Sequence, residues 1–420
     1  MKSYRIIHSL AFLFLLISCL SEKSDNSSNK VKGIDYAFWE GKDEPWSLPE
    51  DSPIPNPPSD DLAMTIMSVN LKGGRHQNLS TSRAYILKSG SKTLSQIGQE
   101  LAENENTGVR FSGWSPNGEL AIIEKRFNSI ENANWEEFNK RKNISGRTVD
   151  SYIYNFKNDS LTNISSNERV SNYNTGVIFW PNTNDKLAFT PIINGEKRPF
   201  SMNLDGSNKE DLSSLSGYIY GLNLSPDGTR LAFQKDYKLN IFDFITNTNI
   251  EINTNNEFNF MPVWSHDSNK LVFISGPSNK LNALYIVNSD GSNLKYLATR
   301  GGYEGAYPLI DIFDFHGGSS DVPKWSLDDQ FIYYTRKIDN KVEIMKYSLE
   351  QNIAIRLTNS TAETINYNPT PGPDGNWIVF GQKKNSNRYL KIMTSNGKAL
   401  QDYHLLDNGK GAFWYFWRNQ

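Results

Sequence analysis

Apolar and polar positions follow one pattern that returns along most of the chain. Its fullest copy is Pro262-Val263-Trp264-Ser265-His266-Asp267-Ser268-Asn269-Lys270-Leu271-Val272-Phe273: an extended run ending on a bulky residue, a polar turn, and a second apolar run. Trp114-Ser115-Pro116-Asn117-Gly118 leads in the same way to Leu120-Ala121-Ile122, and Trp180-Pro181-Asn182 to Leu187-Ala188-Phe189. Leu224-Ser225-Pro226-Asp227-Gly228 leads to Leu231-Ala232-Phe233, and further copies start at Trp325 and Pro371. Short apolar runs bounded by Pro, Asp, Asn and Gly predict strands joined by tight turns.

Around Trp264 four strands are predicted, over residues 261–265, 270–275, 284–288 and 294–298. A four-stranded unit returning every ~40 to 65 residues is the mark of a β-propeller, each unit forming one blade. The expectation is therefore an all-β fold, a single β-propeller over residues 61–420. Six turns are explicit, at Trp114, Trp180, Leu224, Trp264, Trp325 and Pro371. A seventh blade is assembled from the two ends. Phe413-Trp414-Tyr415-Phe416-Trp417 supplies its inner strand, Leu62-Ala63-Met64 its second, and Ala84-Tyr85-Ile86-Leu87 with Thr93-Leu94 the outer pair. Seven blades closed by the N- and C-terminal strands are thus expected, with six as the alternative if the N-terminal strands merely extend a neighbour. An open array would leave two strand edges unpaired. The bulky residue ending each inner strand is expected to fill the wedge between adjacent blades.

The turns also carry a resemblance. Trp264-Ser265-His266-Asp267, Ser225-Pro226-Asp227-Gly228 with Leu231-Ala232-Phe233, and the second turn Asp290-Gly291-Ser292-Asn293 resemble the TolB-like (PD40, WD40-like) propeller repeat. The resemblance implies the fold, typically with six blades, and partners among envelope proteins such as peptidoglycan-associated lipoproteins. It implies no particular chemistry, because propellers host unrelated functions. The α/β domain that precedes the propeller in TolB has no counterpart in the pattern here.

Before the repeats, Lys2 and Arg5 precede an apolar run over residues 10–17, then Ser18 and Cys19. That is the layout of a secretory signal over residues 1–18, and the run is too short to span a bilayer. Leu16-Ile17-Ser18-Cys19 resembles the lipobox of bacterial lipoproteins, which implies lipidation of Cys19 and a membrane anchor. Leu20 after the cysteine implies, by the same resemblance, the outer membrane, facing periplasm or cell surface. Cys19 is the only cysteine, so no internal disulfide is possible. Residues 19–60, polar and ending in Pro53-Ile54-Pro55-Asn56-Pro57-Pro58, read as a tether.

A net charge of −2 over 420 residues argues against nucleic acid as partner. Long connections at residues 124–150, 165–176 and 299–321 fall at one end of the strands by parity, and long loops on a rigid scaffold are where binding concentrates. The candidate ligand-binding residues are Arg300, Tyr303, Glu304, Asp311, Asp314 and His316 in the last of these, and Trp135 in the first. With Ile130 and Phe138, Trp135 has the spacing of a short helix over the mouth. No Gly-x-Ser-x-Gly elbow or His-Glu-x-x-His helix occurs, and the five histidines form no close pair. No metal, cofactor or catalytic residue is assigned. The expected function is a non-catalytic, monomeric binding platform for envelope proteins or another ligand. The alternative is a glycan-binding protein, or a polysaccharide lyase or hydrolase acting through Arg300, Glu304 and His316.

Overall fold

The computed structural model describes residues 53–71, 78–104, 107–126, 148–165, 170–171, 177–190, 192–193, 196–197, 199–212, 219–276, 283–301 and 321–418. The signal and lipobox at residues 1–19, Trp135 with its helix, and residues 302–320 lie outside them. All of the described residues belong to the unit Gly41–Gln420.

The strands expected around Trp264 are found as Phe258–Trp264, Lys270–Gly276, Ala283–Asn288 and Lys295–Thr299, in one antiparallel sheet. A second such sheet precedes it: Ile219–Leu224, Arg230–Lys235, Lys238–Asp243 and Thr248–Ile252. Two more begin at Val109–Trp114 and Val177–Phe179. The sheet assembled from both ends is also found. Leu62–Ser68 pairs antiparallel with Lys410–Trp417 on one side and with Arg83–Lys88 on the other, and Thr93–Ile97 completes it.

Five sheets thus stand as separate blades, and the expected count of seven, or six, is corrected. The strands from Lys324–Trp325 to Gln401–Leu405 form one eight-stranded sheet, joined where Val342 pairs in parallel with Ile365. The cause is a short outer strand. Ile353–Arg356 covers only residues 345–348 of Lys341–Ser348, and the uncovered start of that strand accepts Ile365 instead.

Second strands carry apolar residues on both faces, so their side chains divide between two neighbours. Leu231 and Phe233 enter a cluster with Ala188 of the preceding sheet, whereas Ala232 packs with Trp264, Leu271 and Phe273 of the following one. The terminal sheet is covered likewise, by Phe111, Ala121 and Ile123 on one face and by Trp377, Val379, Leu390 and Ile392 on the other.

The bulky residue occupies the wedge as expected, and it also donates a hydrogen bond. The indole Nε1 of Trp264 donates to the Asn223 carbonyl at 2.9 Å, that of Trp325 to Val263 at 2.9 Å, and that of Trp114 to Phe416 at 3.0 Å. Each acceptor lies one residue before the bulky position of the neighbouring inner strand: Leu224, Trp264 and Trp417. These three pairs of neighbouring inner strands are therefore linked in the same way.

The turns repeat in equal detail. Ser115, Ser225, Ser265 and Ser326 each donate through Oγ to the Asn or Asp two residues on, and each accepts the backbone N–H five residues on, at 2.9 Å. The residue four beyond the bulky one is left-handed: Gly118, Gly228 and Gly375 with φ 68°, 72° and 71°, but also Ser268 and Asp329 with φ 61° and 55°. The two exceptions use the side chain that glycine lacks. Ser268 Oγ accepts the Asp227 N–H at 3.0 Å, and the Asp329 carboxylate accepts the N–H groups of His266 and Asp267 at 2.9 and 3.0 Å. At Gly228 a side chain has no room, since a Cβ would lie 2.8 Å from Trp180 Nε1. This end of the strands is called the turn end, and the opposite one the loop end. Residues 53–61 approach along the turn end: Pro58 is buried, and the Trp377 indole donates to the Asn56 carbonyl at 2.8 Å.

Burial pushes the carboxyls of Asp227 and Asp267 up, but Ser225 and Ser265 hydroxyls, the Thr229 and Asn269 N–H groups and a nearby Arg230 or Lys270 outweigh it, so both sit below the ordinary 3.8. A depressed folded pKa stabilises the fold above that value and ceases to as pH falls through it. Asp227→Asn with Asp267→Asn should melt lower than the parent at pH 7, and the gap should narrow between pH 4 and pH 2 in thermal melts. Trp264→Phe removes the indole donor from a site only 4% exposed. A loss of about 1 kcal/mol for the hydrogen bond, plus the lost ring volume, is expected in denaturant unfolding.

Candidate binding face

Sheet ladders stop at the loop end, and backbone groups there need other partners. Second strands accordingly turn polar in their last residues: Glu124, Gln234, Ser275, Thr335 and Gln382, all buried. Each takes part in a hydrogen-bonded cluster.

The cluster under Arg300 is the most charged. Arg300, 1% exposed, donates through Nη2 to Thr335 Oγ1 at 2.9 Å and through Nε to the Thr335 carbonyl at 3.3 Å, with Asp321 Oδ2 at 3.7 Å. The Thr335 hydroxyl donates to the same carboxylate, whose other oxygen accepts the Asn368 N–H at 2.7 Å. Burial pushes Asp321 up, against Arg300 and these hydrogen bonds, and pushes Lys324 down, against Asp321. Gly301 turns the chain sharply here. It is left-handed at φ 66°, and a Cβ would meet the Lys337 carbonyl at 2.0 Å.

Glu343, fully buried, is the centre of a second cluster. It accepts from Arg356 Nη2 at 2.6 Å, from the Ser360 N–H at 2.8 Å and its hydroxyl at 3.0 Å, from the Thr358 hydroxyl, and from Asn366 Nδ2 at 3.2 Å. A third cluster is neutral. Gln234 Nε2 donates to the Asn259 carbonyl at 2.6 Å, and Asn259 Oδ1 accepts from Thr254 and Ser275 hydroxyls at 2.7 and 2.8 Å. In the sheet that begins at Val109–Trp114, Glu124 accepts from Arg110 Nε at 2.8 Å and Ser112 Oγ at 2.7 Å.

Of the residues singled out in the sequence, Arg300 is at the buried base of its loop. Tyr303, Glu304, Asp311, Asp314, His316, Trp135 and Cys19 lie outside the described residues. His266 is at the turn end, its Nδ1 2.8 Å from Asp329 Oδ1. Among the described residues no group of His, Cys, Asp and Glu could hold a metal ion, and no helix is long and apolar enough to cross a membrane. Sequence reasoning missed an aromatic group at this end, Tyr237 with Phe258 and Phe260. The available signal was a tyrosine in a two-residue turn.

Fold and repeat together define a β-propeller with a rigid turn end and a loop end lined by buried polar clusters. The sequence profile of the TolB beta propeller domain (PD40) matches residues 179–413, and the chain belongs to that family. No curated protein matches the chain. Among solved structures it is similar to TolB from Acinetobacter baumannii, at 13% identity over 87% of this chain and 68% of that one, TM-score 0.44. It is similar too to a putative 6-phosphogluconolactonase from Bacteroides uniformis, at 11% identity over 85% of this chain and 99% of that one, TM-score 0.48. A puromycin-hydrolyzing peptidase of Mycobacterium tuberculosis aligns at 10% identity over 84% of this chain and 53% of that one, TM-score 0.55. This chain thus spans about half the peptidase's length, and the likeness is one of fold.

Arg300 supports the fold directly, and that gives a prediction. Arg300→Met removes the cation hydrogen-bonded into this cluster and leaves buried Asp321 only the buried Lys324 as counter-charge, and a destabilisation of about 3 kcal/mol is expected in denaturant unfolding.

Proposed function

We propose that this chain is a lipid-anchored propeller of the bacterial envelope that works as a non-catalytic binding platform, its sheets closed into one ring by the shared terminal sheet. The observation that carries the reading is where the long connections leave: the strands are joined by short turns at the turn end, whereas the long connections leave from the loop end, at Arg126 and Gly301. Membership of the TolB beta propeller domain family supports a binding role. The partner, an envelope protein, meets Tyr303, Glu304, Asp311, Asp314, His316 and Trp135, and Arg300 fixes the base of the loop that follows it.

Lipidated Cys19 holds the propeller to the outer membrane through residues 19–60. Residues 53–60 run along the turn end, which supports a loop end turned away from the lipid. The anchor is tested by metabolic labelling with an alkyne palmitate. Label and membrane fractionation are expected for the parent and lost in Cys19→Ser. The platform is tested with a photocrosslinking amino acid at position 303, 316 or 227. Adducts with envelope proteins are expected from the first two and not from the third; equal yields at all three, or none, overturn the reading.

A further inference from the structure

The hairpin between Arg230–Lys235 and Lys238–Asp243 turns on Asp236 and Tyr237 alone, both left-handed, with φ 49° and 65°. Such a two-residue turn favours glycine in its second place, and a bulky side chain there is strained. The hairpin turns Asp339-Asn340 and Asn385-Ser386 are left-handed only at their first residue, so neither sets its second side chain in such a conformation. Strain retained where a smaller residue would relieve it points to a role for the side chain itself.

The tyrosine ring is displayed on a fixed mounting. The Tyr237 carbonyl accepts both the backbone N–H of Asn259 at 3.0 Å and its side-chain Nδ2 at 3.2 Å. Asn259 is itself fully buried and held by Gln234, Thr254 and Ser275. Above this network the Tyr237 ring, 47% exposed, lies 4.6 Å from Phe258 and 5.8 Å from Phe260. The two phenylalanines, both partly exposed, are parallel to within 10° at 6.1 Å. Asp236 and Glu257 are exposed beside the rings, with Lys235 and Lys238 half-buried.

We propose that Tyr237, Phe258 and Phe260 form a subsite for a pyranose ring of a neutral glycan. The aromatic faces take the C–H face of the sugar, and the Asp236 and Glu257 carboxylates accept from its hydroxyls. The surroundings favour a sugar over a protein. A protein interface needs an apolar centre that continues beyond three rings. Among the described residues the other exposed large apolar side chains, Ile54, Ile245, Leu327, Leu400 and Leu405, lie on the tether, at the turn end or on the outer strand of another sheet. The inference rests on the loop end being the binding end.

The test is calorimetric titration of the full chain with neutral oligosaccharides of β-linked glucose, mannose, xylose and N-acetylglucosamine. Binding of at least one is expected, weakened about tenfold or more by Tyr237→Gly and by Phe258→Ala. Tyr237→Gly relieves the left-handed strain, so its melting temperature should be unchanged or higher, which separates lost binding from lost folding. No binding of any of these sugars at millimolar concentration, or unchanged affinity in Tyr237→Gly, overturns the proposal. If no sugar binds but Tyr237→Gly abolishes the crosslinks from positions 303 and 316, the pyranose subsite is wrong and the platform stands. If sugar binds through Tyr237 while those crosslinks never form, the subsite stands and the protein platform falls.

Discussion

Everything in this domain depends on the fact that no sheet can cover itself. A strand such as Arg230–Lys235 sends Leu231 and Phe233 to one neighbour and Ala232 to the other, so a single sheet in water would expose apolar surface on both faces. The only remedy is another sheet on each side, and the wedge that opens between two twisted sheets needs a large side chain with a polar tip. Tryptophan meets both needs. Its rings fill the gap, and its Nε1 reaches a carbonyl of the neighbouring inner strand.

The loop end solves a different problem with different residues. There the ladders stop, and charged and amide side chains take over the backbone groups, as Asp321 does for Asn368 and Glu343 for Ser360. Buried carboxylates are costly to desolvate, so each is surrounded by donors. The result is a rigid floor under the long connections, which suits loops that must present side chains without carrying the fold themselves.

Much of this was legible in the sequence, and for identifiable reasons. The turns announce themselves because Ser, Asp and Gly are each required at fixed offsets by hydrogen bonds or by left-handed backbone. The meeting of the two ends was legible because Phe413–Trp417 and Leu62–Met64 are each half of a pattern seen whole elsewhere. The number of separate sheets was not, since it turns on one pairing, Val342 with Ile365, that depends on how far Ile353–Arg356 extends. Nor was the burial of Arg300, which next to Gly301-Gly302 reads as surface loop; its partners Asp321 and Thr335 are 21 and 35 residues away. Tyr237 escaped notice because a lone aromatic in a turn carries no periodicity.

The side chains of Ser268 and Asp329 also bear on how such an array can change over generations. Each reaches out of its own repeat to satisfy the one before it, so a repeat is complete only beside a particular neighbour. Excising the segment that carries Asp329 would set the His266 turn against that of Gly375, which has no side-chain oxygen to offer. Copies that look interchangeable when written one above another are therefore fixed in order, and the array is better regarded as a sentence than as a string of beads.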